Sequence, residues 1–244
     1  MEGFGSYDGC MKSSFTNILV LLGCLLSTLS AQTTEQKPST EKVPLFDGKT
    51  MKGWYVFFDK REKDQDPDHV VTIADSCFHV SGQNFGYLST EKEYANYKLT
   101  LSYKWGEKKW PPRDKAIRDA GIIYHAVGED IVWSNGMEFQ IQEGDTGDLF
   151  LIGGKENNPA VTVKDKKYGG TKSIDRVVKW STEEKPQGEW NLCVLICKGK
   201  KFEHWVNGKL VMSGETEGRE KGKIQLQSEG AEIWYRDITL EALP

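Results

Sequence analysis

From Val43 to the C-terminus, no segment of the chain keeps an apolar period of 3.6 residues for three turns. A helix that packs on a core needs such a stripe, so the folded part of the chain is built from strands. Short runs rich in β-branched and aromatic residues follow one another, bounded by Gly, Asn and Asp. They predict strands at 54–58, 70–73, 77–80, 97–105, 121–127, 136–142, 149–152, 160–163, 189–198, 201–206, 209–213, 223–229 and 233–241. Val206-Asn207-Gly208-Lys209 has the residues of a two-residue hairpin turn. Neither βαβ alternation nor an internal repeat is present. Many short strands with regular turns mean a sandwich or barrel, and the expected fold is all-β, a two-sheet antiparallel jelly roll. Residues 106–118 and 164–176 read as loops. Pro111-Pro112 forbids strand pairing in the first, which is expected to form a rim with Trp110, Arg113 and Arg118. The second is expected to be solvated.

The N-terminus reads as a targeting segment. Met11-Lys12 precedes an apolar run from Ile18 to Leu26, and small residues lead to Ala31. A positive start, a short apolar run and a small-residue site make a secretory signal. The expected signal is 1–31, with Met11 as an alternative start, followed by a polar linker at 32–43 and one domain at 44–244. The expected location is the periplasm or the exterior. The alternative is lipoprotein processing at Cys24, which would tie the protein to a membrane. Of the remaining cysteines, Cys193 and Cys197 lie four apart on one predicted strand. At the strand rise that is ~13 Å, too far for a mutual disulfide. They and Cys77 are expected to be buried thiols. A net charge of -4, interspersed along the chain, gives no basic surface for nucleic acid.

The segment 136–142 alternates strictly. Met137, Phe139 and Ile141 are apolar, while Glu138, Gln140 and Gln142 are polar. Segment 223–229 repeats the pattern, with Ile224 and Leu226 against Gln225, Gln227 and Glu229. Segment 121–127 places Ile123 and His125 on one face and Ile122, Tyr124 and Ala126 on the other. If these polar rows share a concave face, they converge in a cleft. Amides offer paired donors and acceptors to vicinal hydroxyls, and carboxylates accept from two. Such a face suits a sugar, although a row of Gln and Glu also serves simply as a soluble face. The eight Trp supply either core volume or stacking platforms. Glu138, Glu143, Asp145, Asp148 and His125 are ligand types for a divalent cation. The Glu143–Asp148 spacing matches no standard calcium loop.

Several segments together resemble a known family. Leu45-Phe-Asp-Gly-Lys-Thr-Met-Lys-Gly-Trp54 is similar to the opening motif of the 3-keto-disaccharide hydrolase family. Ala120-Gly-Ile-Ile-Tyr-His125 and Gly136-Met-Glu-Phe-Gln-Ile141 resemble two of its strands. Gly188-Glu-Trp-Asn191, Asn207-Gly-Lys-Leu210, Gly222-Lys-Ile-Gln-Leu-Gln227 and Trp234-Tyr-Arg-Asp-Ile238 continue in the family's order. The resemblance runs from about residue 45 to 242. It implies a concanavalin-like jelly roll, secreted or periplasmic, that cleaves glycosides already oxidised to a ketone at C3. The chain departs from the commoner pattern at His125, where many relatives carry Arg, and at Glu229, where many carry His.

A ketone at C3 acidifies the proton on C2, so a base can remove it and the C1 substituent can leave. His125 and Glu138 are the expected base and acid, with a cation or Arg118 on the enolate oxygen. Direct displacement would instead use two carboxylates, Glu138 and Glu229. The candidate substrate-binding residues are Gln140, Gln142, Gln227, Arg118, Trp110, Tyr124 and Asp148. The rival reading is a lectin-like module that binds a glycoside without cleaving it.

Overall fold

The computed structural model describes residues 41–153, 158–171 and 174–244. The expected signal, Cys24 and most of the expected linker lie outside these residues. The described residues belong to the second of two compact units, Lys37–Pro244. The strands are β1 (Lys42–Pro44), β2 (Trp54–Phe58), β3 (Val71–Ala74), β4 (Cys77–Val80), β5 (Gly86–Thr90), β6 (Tyr97–Lys109), β7 (Asp119–Val127), β8 (Asn135–Gln142) and β9 (Leu149–Ile152). They continue with β10 (Ala160–Val163), β11 (Lys166–Gly169), β12 (Ile174–Val177), β13 (Asn191–Lys198), β14 (Lys201–Val206), β15 (Lys209–Thr216), β16 (Lys223–Ser228) and β17 (Ala231–Ala242).

These strands form two antiparallel sheets. The larger runs β11-β10-β15-β14-β13-β6-β17-β4-β3, with β1 paired to β17. The smaller runs β12-β9-β8-β7-β16-β5-β2. The all-β two-sheet expectation is correct. Alternation along β6 shows why the sheets stack: Tyr97, Leu99, Leu101, Tyr103 and Trp105 are buried, while Lys98, Thr100, Ser102 and Lys104 between them are half-exposed. Burying one face of each sheet gives a single core, whose apolar side chains come from both layers.

One polar residue sits inside that core. His204 on β14 has Nδ1 3.1 Å from the Gly147 carbonyl and Nε2 3.0 Å from the Tyr124 hydroxyl. Its ring stacks on Phe139 at 4.3 Å. Burial pulls its pKa down to about 3, so the neutral ring donates from Nδ1 and accepts at Nε2. The contacts join β14 of one sheet to β7 and the segment before β9 of the other.

Two hairpins follow from their turn residues. Asn207 and Gly208 take φ values of 47° and 87°, which the type I′ turn between β14 and β15 requires. Lys164 and Asp165, at 47° and 63°, make the same kind of turn between β10 and β11. The described residues of 164–176 are mostly exposed, as expected, but they do not form a loop, because they hold β11 and the start of β12. Strand β6 runs on through Lys109, so the first excursion begins only at the prolines. Strand β1 shows that the expected linker ends before Lys42. Cys77, Cys193 and Cys197 are free and buried, and burial raises the Cys197 thiol to about 12.

Tyr124 was expected to touch substrate. Its side chain instead lies in the core, with its hydroxyl on His204. Tyr124→Phe leaves His204 Nε2 without a donor. The expected cost is about 1–3 kcal/mol, read as a lower urea midpoint, with sugar affinity unchanged.

Candidate active site

The site is assembled on the face of the smaller sheet that turns away from the core. Strand β8 sends Met137, Phe139 and Ile141 inward. Period two then sends Glu138, Gln140 and Gln142 outward. In register, Glu138 lies beside Ile123, Gln140 beside Gly121, and Gln142 beside Asp119. On the other side of β7, Gln225 pairs with Ile123 and with Ser89, and Gln227 pairs with Tyr87. An outward sheet face is normally wet. Here Glu138, Gln140, Gln225 and Gln227 are 5%, 6%, 2% and 2% exposed. The polar rows therefore form a floor screened from water.

Gly121 shapes this floor. A Cβ there would stand 1.9 Å from Glu138 Oε1 and 2.6 Å from Gln227 Oε1. The missing side chain lets Glu138 lean across β7 toward β16. The side-chain oxygens of Gln140, Gln225 and Gln227 are buried without a hydrogen-bond partner among the described residues.

A guanidinium closes one end. Trp110 anchors the excursion after β6, its backbone N–H on the Gly230 carbonyl at 2.8 Å and its indole N–H on the Ser81 carbonyl at 2.9 Å. Arg113, three residues on, donates to Glu229 at 2.7 Å and pairs with Asp119. Asp119 also accepts from Gln140 at 3.1 Å and from Gln142 at 2.7 Å. At the opposite wall, Asp130 accepts from the hydroxyls of Tyr55 (2.6 Å) and Tyr87 (2.9 Å), which fastens residues 128–134 over β5 and β2.

Asp119 and Glu229 thus share one cation, and the buried Glu138 beside them has no ion pair among the described residues. Burial, then the charges of Glu229 and Asp119, hold Glu138 well above the carboxylate range. Burial and Asp119 push Glu229 to about 7, with Arg113 pulling the other way. Asp119 is also raised by burial, against Arg113 and Gln142. Of this tightly linked pair, Asp119 is the one that ionises first, because it gathers three side-chain donors and Glu229 gathers one.

Glu138, Gln140, Gln142, Gln227 and Glu229 are brought together as expected. His125 is not. A bulge between Tyr124 and Val127, with His125 at φ 51°, turns its ring away from the polar floor. Its Nδ1 meets the Arg219 carbonyl at 3.0 Å, and its ring packs edge-on against Tyr97 and Tyr124 of the core. Burial lowers its pKa to about 4. Arg118 binds the Gly106 carbonyl and Glu143, where it ties the two sheets at one end. Trp110 holds the excursion in place, and the Lys108 ammonium lies over its ring at 4.3 Å. Asp148 is wholly buried and neutralised by Arg176 and Lys179. With Asp145 taken by the same two cations and Glu143 by Arg118, these carboxylates do not suit a divalent cation. Among the described residues no group of three ligand-type side chains gathers round a point, and Arg113 takes the place a cation would need between Asp119 and Glu229.

Sequence reasoning missed Asp119, counted Gln225 in a polar row without giving it a role, and left Arg113 as a rim residue without a role. Asp119 was findable, since alternation through Gly121 and Ile123 puts it on the face opposite Tyr124. Arg113 was not, because only the anchored path of the excursion brings it back over the sheet.

The family profile of the 3-keto-alpha-glucoside-1,2-lyase-like domain matches residues 41–241. The chain belongs to this family. Solved structures share the fold of the lyase-like domain at low identity. A provisionally assigned glycosyl hydrolase from Parabacteroides distasonis has a TM-score of 0.58 at 20% identity, over 83% of this chain and 94% of that one. A carbohydrate-binding module from Bacillus subtilis has a TM-score of 0.55 at 9% identity, over 78% and 96%. A Bacillus licheniformis beta-glucanase has a TM-score of 0.51 at 9% identity, over 86% and 100%. No curated protein gives a significant match. Family and fold together make this a glycosyl-hydrolase-like jelly-roll domain.

The raised carboxyls have a thermodynamic consequence. Folded Glu138 keeps a proton that the unfolded chain releases above about pH 4.5. The folded state then binds more protons than the unfolded one, so stability falls as pH rises from that point. Glu229 adds to the fall up to about pH 7. Glu138→Gln is expected to flatten the decline, so that thermal midpoints of variant and wild type diverge in the variant's favour between pH 5 and 8.

Proposed function

We propose that the domain cleaves the glycosidic bond of 3-keto-glycosides by elimination followed by addition of water. The observation that carries this reading is a buried Glu138 beside Glu229 with no counter-charge of its own, where burial holds its pKa well above the carboxylate range and raises Glu229 to about 7. Environments that set two carboxyls at different pKa values assign an acid and a base.

In this scheme the ionised Glu229 takes the C2 proton. The C–H electrons form the C2–C3 double bond of an enolate whose oxygen is the former C3 carbonyl; the carbonyl then re-forms, and the C2–C3 pair moves to C1–C2 as the C1–O bond breaks. The Nε of Arg113 is buried and has no hydrogen-bond partner among the described residues, so it is the donor available to that oxygen. Glu138 gives its proton to the leaving oxygen. The water oxygen then adds at C1 as its proton passes to the ionised Glu138, Glu229 returns its proton to C2, and the net result is hydrolysis. The expected signal at 1–31 makes a periplasmic or secreted setting part of the proposal.

A lectin-like module remains the competing reading, because the fold is shared with a carbohydrate-binding module. The discriminating experiment incubates the protein with a 3-keto-glucoside and with the unoxidised glucoside, with and without chelator. Release from the keto compound alone, unaffected by chelator, is expected. Binding without release would make it a lectin, and sensitivity to chelator would return a metal to the mechanism.

Glu138→Gln and Glu229→Gln are each expected to lower kcat by about 10²–10⁴, with secondary structure intact by circular dichroism. The kcat/KM of the wild type should climb with pH through about 7, as Glu229 ionises. Arg113 lowers the Glu229 pKa, so Arg113→Gln should move that acidic limb to higher pH as well as slow turnover. An unmoved limb would remove Glu229 as the base.

A further inference from the structure

Asp119 touches neither end of the proposed proton relay. Its carboxylate is 5% exposed and collects the side-chain nitrogens of Gln140 and Gln142 together with Arg113. An amide beside a carboxylate has one stable orientation, with nitrogen toward the charge, because the reversed amide sets oxygen against oxygen. With one N–H held on Asp119, the Gln140 amide turns its oxygen away from that carboxylate. That oxygen is buried and without a partner, and an unpaired buried acceptor is costly unless something donates to it.

We propose that Asp119 is a positioning residue that locks the Gln140 amide with its oxygen toward the cleft, so that the site demands a free hydroxyl on the sugar. The inference rests on the sugar-cleaving reading and specifies its substrate class. A glycoside whose corresponding hydroxyl is absent, or replaced by a group that cannot donate, leaves Gln140 unpaired and is rejected. Gln225 and Gln227 present further unpartnered oxygens on the same floor, but no carboxylate fixes their orientation, so the proposal stands on Gln140.

The test uses a non-cleavable C-glycoside of 3-keto-glucose. Analogues carry hydrogen or fluorine in place of the hydroxyl at C2, C4 or C6. Binding is measured calorimetrically to the wild type, Asp119→Asn and Gln140→Met, each checked for a native thermal transition. At one ring position, both the deoxy and the fluoro analogue are expected to bind wild type at least about tenfold more weakly than the parent. At that same position Gln140→Met should show no preference for the hydroxyl. Asp119→Asn should lose most of the discrimination against fluorine, because the released amide can turn its nitrogen to the ligand. Wild-type binding of every fluoro analogue within twofold of the parent would overturn the inference while leaving the sugar cleft standing. Full selectivity retained in Asp119→Asn would remove Asp119 from the role. Failure of the parent C-glycoside to bind at all would sink the sugar-cleaving reading and this inference with it.

Discussion

Strand β8 can occupy only one register, and most of the site follows from that. Its side chains alternate between the core and the cleft, so Met137, Phe139 and Ile141 fix where Glu138, Gln140 and Gln142 stand. A slip of one residue would drive a carboxyl and two amides into the core and push Phe139 onto the polar floor. Neighbouring strands inherit the constraint through pairing. Glu138 faces Ile123 and Gln142 faces Asp119 because β7 is antiparallel to β8 in that register. Core packing thus positions the polar floor, although none of its polar residues belongs to the core.

The floor concentrates more acid than one cation neutralises. Arg113 spans Asp119 and Glu229, and Glu138 has no ion pair among the described residues. Taking a carboxylate out of water without a counter-charge is expensive, and the group avoids the expense by keeping its proton. The same scarcity of positive charge that makes the site costly to fold therefore makes it able to donate protons near neutral pH. At the neighbouring edge, Asp145 and Asp148 are matched by Arg176 and Lys179, and that cluster is structural.

Period and turn chemistry carried most of the fold. Strands β2, β4, β9, β10 and β14 have the boundaries their sequence implies, since each is a short β-rich run between turn residues. Strand β5 was missed because Gly86-Tyr-Leu-Ser-Thr90 has neither strict alternation nor a β-branched core. It is buried on both faces and is held by β2 and β16 rather than by its own preference. Glu138 and Gln227 were legible as a polar row. His125 was misread because alternation assumes an unbroken strand, and the bulge after Tyr124 breaks it. Arg118 and Asp148 were misread for another reason: sequence shows that a charge is present but not that its partner has already claimed it.

The last two strands occupy central places. Strand β16 lies between β7 and β5 in the smaller sheet, and β17 lies between β6 and β4 in the larger. Both come later in sequence than the strands they pair with, so they leave the ribosome after them, at about 5–20 residues per second. Until they arrive, each layer is split into halves with open edges. The turn joining them carries Glu229 and Gly230, the latter bonded through its carbonyl to the Trp110 anchor. Emergence of β16 and β17 therefore closes both sheets, and the turn between them seats the candidate base against Arg113.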